Sequence, residues 1–192
     1  VPSFFTKEEV LRIENSIARS NAVGKRNYAM TLLASRLGLR ASDIANLKFG
    51  EIDWDNNLLT ITMQKTRKVI QLPLLAEVGN SIVDYLKNGR PKSSLDQVFL
   101  SSRAPYTGAT KACVCAAINE IILKSGVDVH LKHHGPHSLR HSLASAMLSE
   151  ETTLPVISES LGHRHTDTTM VYLKIDIPSL MKCALPVPSV AE

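Results

Sequence analysis

The sequence predicts a mainly α-helical (α+β) domain carrying one small antiparallel sheet of three strands. Three observations support this expectation. Apolar residues recur at helical spacing through most of the chain, the period changes to two only between Glu51 and Leu72, and N-caps, first-turn prolines and glycine stops punctuate the helical stretches. With 192 residues, 44% hydrophobic and only 9 Gly and 9 Pro, the chain can bury one globular core.

Each element has its own signal. Thr6, with Glu9 three residues on, is a capping box for a first helix, and Phe5 can staple onto Val10. A second helix is expected from about Lys25 to Arg36, with Ala29, Leu32 and Leu33 inward and Gly38 ending it. A third begins at Ala41 or Ser42 and carries Ile44 and Leu47. Ile52 and Trp54, then Leu59, Ile61 and Met63, then Val69, Ile70 and Leu72 alternate around turns at 55–57 and 65–68. Pro73 is expected to close this sheet and open a helix reaching about Asn88, and Val98–Leu100 to form a short strand. Thr110 to Lys124 is helical, with Ser125-Gly126 as its stop. A helix from His137 to Leu148 follows a His-rich loop, Pro155 stands in the first turn of a short helix that Gly162 ends, and two more helices are expected before a loose tail, 186–192.

Composition excludes several classes. No apolar run reaches the roughly 18 residues of a membrane-spanning helix and no leader pattern opens the chain, which predicts a soluble cytoplasmic protein without a membrane partner. Three cysteines without a CxxC spacing fit buried thiols in a reducing cytosol better than a disulfide framework or a zinc knuckle. The net charge of +4 is too small to name a partner, but its distribution is uneven. Arg19, Lys25, Arg26, Arg36 and Arg40 stand between Asn15 and Ser42 with no acid among them, and Lys65, Arg67 and Lys68 do so between Leu58 and Ala76. Such stretches suit either a polyanion-binding face or ordinary solvated surface.

Four islands could carry chemistry: Gly38-Leu39-Arg40-Ala41-Ser42-Asp43, Gln64-Lys65-Thr66, His137-Ser138-Leu139-Arg140-His141, and Leu161-Gly162-His163 followed nine residues later by Tyr172. Together they offer two guanidiniums, an ammonium, imidazoles and a phenol, a set suited to a phosphodiester. Arg forks bind phosphate oxygens bidentately and can hold the extra charge of a five-coordinate transition state. A phenol of pKa about 10 is only about 0.1% ionised at pH 7, so a nucleophilic Tyr172 needs a proton acceptor, and His137 and His163 lie in the right range. Lys65, at a hairpin tip, could protonate a leaving 5′ oxygen. His137 and Arg140 share a helix face. His133, His137 and His141 are four apart, but Gly135-Pro136 interrupts that spacing and no carboxylate completes a metal site.

In order and spacing these islands resemble the catalytic domain of the tyrosine recombinases, the phage integrase family. The resemblance runs from about Thr6 to Lys174 and implies the helical fold of DNA breaking-rejoining enzymes over residues 1–185. It further implies that Tyr172 attacks a DNA phosphate to give a 3′-phosphotyrosine, that Arg40, His137, Arg140 and His163 bind that phosphate, that Lys65 is the general acid and that Asp43 supports the site. No metal, nucleotide or other cofactor is implied. Arg36, Arg67, Lys68 and Arg164 are candidate DNA contacts. Members assemble as four protomers on two double-stranded DNA sites and exchange strands through a Holliday junction; a free monomer is expected, and 175–185 is a candidate helix for docking on a neighbour. Members also carry an N-terminal DNA-clamping domain, so a truncated chain is expected here. The biological setting expected is a mobile element, a phage or transposon, with chromosome-dimer resolution and a non-cleaving DNA-binding protein of the same fold as alternatives. A type IB topoisomerase shares the chemistry, but His137 in the first place of His-x-x-Arg speaks against it.

Overall fold

The computed structural model describes residues 4–130 and 132–162; His163, Arg164, Tyr172 and the segments 175–185 and 186–192 lie outside the described residues. Helix α1 (Lys7–Asn15) starts at the expected capping box, in which the Glu9 amide donates to Thr6 Oγ1 at 3.2 Å and the Thr6 amide donates to Glu9 Oε2 at 2.9 Å. Helix α2 spans Ala22–Ser35, three residues earlier than the expected start. The cap is Asn21, whose Oδ1 accepts the Gly24 amide at 2.8 Å. From Ala29 to Ser35 every residue of α2 is buried, because α4, α5 and α6 all pack on it. Residue 38 turns the chain into α3 (Ala41–Ala45) at φ +62°, a conformation that favours glycine. A Cβ there would also stand 2.6 Å from Leu161 Cδ2, so the turn is closed against a distant segment.

The sheet is antiparallel in the order β1 (Ile52–Asp53), β2 (Leu58–Thr62), β3 (Val69–Pro73), with Leu59 opposite Leu72 and Ile61 opposite Ile70. These four side chains are buried, while Thr60, Thr62, Val69, Gln71 and Pro73 between and beside them are exposed, the alternation that the period of two predicts. Two expectations are corrected. Pro73 is the last residue of β3, tolerated on an edge strand, and the next helix, α4 (Ala76–Asn88), starts three residues later. Val98–Leu100 is not a strand. Its side chains are fully buried, but its ladder is limited to single bridges, Lys48 with Gln97 and Leu100 with Gly108.

Helix α5 (Lys111–Lys124) is capped by Thr110, whose hydroxyl accepts the Cys113 amide at 3.1 Å. Helix α6 (Pro136–Ser149) starts one residue before the expected position with Pro136 in its first turn, and α7 (Leu154–Ser160) repeats that device with Pro155. One core joins α1 to α5, the sheet and Leu139 of α6; a smaller cluster of Ala144, Ile157 and Leu161 joins α6 to α7. No described helix is long and apolar enough to cross a membrane.

Candidate active site

Arg40, Lys65, His137 and Arg140 line one cleft of about 740 Å³. The convergence is built from hydrogen bonds between side chains of one sequence island and the backbone of another. Arg40 is the N-cap residue of α3, with extended backbone at φ −74° and ψ 151°. One turn on, buried Asp43 reaches across to the hairpin, and its Oδ1 accepts the Gln64 amide at 2.8 Å. That bond ties the residue before Lys65 to the helix behind Arg40. The hairpin tip is closed by the Met63 amide donating to Lys68 O at 2.9 Å and the Arg67 amide donating to Met63 O at 2.8 Å, which leaves Lys65 exposed over the cleft.

Arg140 joins two further islands. It is 2% exposed, and its two terminal nitrogens donate to the carbonyls of Gly38 and Leu161. The glycine turn before Arg40 and the Leu-Gly turn before His163 are therefore both fastened to the His-x-x-Arg helix. Both of these acceptors are neutral carbonyls, so these two bonds orient the guanidinium without neutralising it. Nearby, Arg40 Nη1 is buried with no hydrogen-bond partner among the described residues, and no described carboxylate pairs with Arg40 or Lys65. A buried donor left unmet costs about 1–3 kcal/mol. The cleft thus carries stored demand for an anion.

His137 reports this potential. Desolvation first, then the charges of Arg140, Arg40, Lys65 and His133, hold its imidazole below the ordinary range. Its Nε2 lies 2.8 Å from His141 Nε2, with the rings edge to face at 4.2 Å between centroids. His141 is pushed down to about 4 by burial, His137 and Arg140.

Helix α5 supplies a wall that carries no motif: Lys111, Cys115 and Asn119, spaced four apart, line the cleft with Ala116. Asn119 Oδ1 is buried without a partner among the described residues. The signal available was a polar or small residue at every fourth place over Lys111, Cys115 and Asn119 in a helix whose other charges, Glu120 and Lys124, pair with each other. Cys113 and Cys115 are free thiols, half-buried rather than fully buried, and Cys115 packs against the core.

Arg36 is corrected. Its guanidinium forks onto buried Glu14, Nε to Oε1 at 2.9 Å and Nη2 to Oε2 at 2.6 Å, away from the cleft. The other cations of the acid-free run around it likewise have contacts within the chain, though Arg19 is exposed. Lys25 pairs with Asp84 at 2.6 Å, Arg26 donates to Leu100 O at 3.0 Å, and Arg19 lies 4.6 Å from the centre of the Tyr28 ring. Of that run, Arg40 alone lines the cleft. Arg67 and Lys68 are exposed on the hairpin beside Lys65.

The profile of the Phage integrase family matches residues 3–177. The chain belongs to that family. It is 39% identical over its whole length to y4rA, a candidate integrase/recombinase of Sinorhizobium fredii, and spans 46% of that protein. It is 31% identical to y4gC of the same organism, covering 98% of this chain and 97% of the relative. Among solved structures, XerA recombinase matches with a TM-score of 0.79 at 21% identity, over 95% of this chain and 64% of the other. XerH recombinase bound to a palindromic difH substrate matches with a TM-score of 0.77 at 22% identity, over 95% and 52%. The fold is therefore that of tyrosine recombinase catalytic domains, and this phage integrase family member spans about half of some of its longer relatives.

Proposed function

We propose that this chain is the catalytic part of a site-specific DNA recombinase that cuts and rejoins DNA through Tyr172. The observation that supports this reading is the convergence of Arg40, Lys65, His137 and Arg140 on one cleft with no described carboxylate paired to Arg40 or Lys65. Tyr172 Oη attacks the scissile phosphorus while the bond to the 5′ oxygen breaks, giving a 3′-phosphotyrosyl ester and a free 5′ hydroxyl. Arg40 and Arg140 hold the developing charge on the phosphoryl oxygens, and each such preorganised donor accounts for about 10²–10³ in rate. Lys65 delivers a proton to the leaving 5′ oxygen. His137 and His163 bind the phosphate and accept the tyrosyl proton. A 5′ hydroxyl from a partner strand then reverses the step, so the ester linkage is conserved and no hydrolysis intervenes.

The partner is double-stranded DNA, contacted beyond the cleft by Arg67, Lys68 and Arg164. Two sites are brought together by four protomers, with 175–185 docking on a neighbour, and exchange proceeds through a Holliday junction. The setting is the cytoplasm, on behalf of a mobile element. The test uses a pool of nicked suicide duplexes with randomised sequence, from which covalent protein–DNA adducts are captured under denaturing conditions and sequenced. Adducts that disappear in Tyr172→Phe are expected. Their absence from the entire pool would sink the reading. On a recovered site, light scattering is expected to show a tetramer that is lost when 175–185 is deleted.

A further inference from the structure

Four residues beyond His137, and one beyond Arg140, stands a second histidine to which the chemistry above gives no task. Its position is not that of a bystander. His137 Nε2 and His141 Nε2 are 2.8 Å apart, a hydrogen-bond distance between two nitrogens of which one must be protonated and the other bare. The edge-to-face arrangement, at 85° between ring planes, is what two adjacent turns of α6 impose on the pair.

We propose that His141 is the positioning residue for His137: the Nε2–Nε2 bond fixes the ring and the tautomer of His137 and leaves its Nδ1 as the nitrogen that serves the scissile phosphate and the attacking phenol. The inference rests on the recombinase reading for its catalytic consequence, while the pair itself exists in the free protein.

Proton accounting makes the assignment directional. If both facing nitrogens carried protons, two N–H groups would point at each other, so the pair holds one proton between them. The groups around His137 among the described residues are Arg140 on its own helix, Arg40 at the start of α3, Lys65 on the hairpin and His133 in the preceding loop; all oppose further positive charge. Burial first, and then His137 and Arg140, push His141 down to about 4. Of the two rings His137 lines the cleft, where the phenol and phosphate are bound, so a proton that enters the pair from there is taken by His137 and His141 acts as the neutral acceptor. With the proton on Nε2, neutral His137 presents a bare Nδ1, competent to accept the tyrosyl proton. After that transfer the imidazolium donates from Nδ1 to a phosphoryl oxygen and from Nε2 to His141. The same Nε2–H···Nε2 bond serves both states, so the ring need not turn between them. Fixing a catalytic imidazole through its second nitrogen is a recurrent device, usually performed by a carboxylate or carbonyl. A neutral imidazole performs it here without adding a negative charge beside a site that must bind one.

Two measurements test this. In the free protein, long-range ¹⁵N–¹H correlation of labelled histidines is expected to show His137 as a single Nε2–H tautomer near pH 7. His141→Gln, whose amide oxygen can accept the same proton, keeps that tautomer, and His141→Leu gives a mixture. On a suicide duplex recovered by adduct capture, His141→Leu is expected to form the Tyr172 adduct about 10²-fold more slowly, with the acid limb of its pH profile moved to lower pH because the imidazolium has lost its acceptor. His141→Gln should return to within a few-fold of the parent. An unchanged tautomer in His141→Leu, or an unchanged rate and pH profile in a protein that forms adducts, overturns the positioning role. Absence of adducts from the parent protein overturns the recombinase reading instead, and the tautomer measurement still decides whether His141 sets His137.

Discussion

Arg36 and Arg40 stand one helical turn apart in sequence, and each has a buried carboxylate nearby, yet their circumstances are opposite. At the junction of α1 and α2, Glu14 takes both faces of the Arg36 fork and also accepts the Ser35 hydroxyl at 2.6 Å. At the start of α3, Asp43 Oδ1 accepts a backbone amide of the hairpin, and both Asp43 Oδ2 and Arg40 Nη1 are buried with no described partner. The first region satisfies its charges internally and is a fastening of the fold. The second spends its carboxylate on geometry and leaves its cations for a ligand. Charge satisfaction, more than charge itself, separates a structural arginine from a functional one.

That contrast breaks most sharply at Arg40. Replacing it with Ala is expected to slow adduct formation on a recovered site by about 10²–10³, while the melting temperature is held or raised because an unmet donor has gone. A matching fall in melting temperature would move Arg40 into the structural class. Arg36→Ala should do the reverse. It strands Glu14, and urea denaturation should report a loss of about 3 kcal/mol, with adduct formation by the folded protein unchanged. The double variant Glu14→Leu with Arg36→Met should regain most of that loss, since no charge is then buried. Asp43→Ala comes next. Freeing the hairpin is expected to slow cleavage about 10-fold by misplacing Lys65. A duplex with sulfur in place of the bridging 5′ oxygen, whose leaving group needs no proton, should rescue both Asp43→Ala and Lys65→Ala. Failure to rescue Asp43→Ala would show that it supports Arg40 rather than the hairpin.

The smallest effect is on stability against pH. The His141 side chain titrates at about 4 in the folded protein and near 6.5 when unfolded, so the unfolded chain binds the extra proton first. Stability is therefore expected to fall as pH drops from about 6.5 to about 4 and to gain nothing from this group above that window. His137 contributes in the same direction. Comparing the pH slopes of the parent and His141→Gln in chemical denaturation isolates the effect from the carboxylates.

Local signals were the legible ones. The Thr6–Glu9 box, the alternation around Leu59 and Ile61, and Pro155 in a first turn each depend on neighbours within a few residues, and each stands where the sequence places it, whereas Pro136, expected to end the preceding loop, opens α6. Pro73 misled because a proline that opens a helix and one that ends an edge strand look alike until strand order is known. The acid-free run from Asn15 to Ser42 left two readings open for a related reason: the partners of Lys25 and Arg26 come from Asp84 and Leu100, far along the chain. Residue types for the site could be read from the islands, but their meeting could not, because it is made by main-chain atoms of Gly38, Gln64 and Leu161 that every residue possesses.

The grip on Arg140 has a consequence for anyone who would transplant this site. Its two described anchors are peptide oxygens, and point substitution cannot delete a peptide oxygen. What substitution can do is change the direction in which the peptide faces, by giving residue 38 a side chain that its φ of +62° and its 2.6 Å approach to Leu161 do not accommodate. A graft therefore has to carry two loop shapes held at a fixed separation, and a scaffold that reproduces every polar side chain while missing either loop would hold Arg140 in the wrong place.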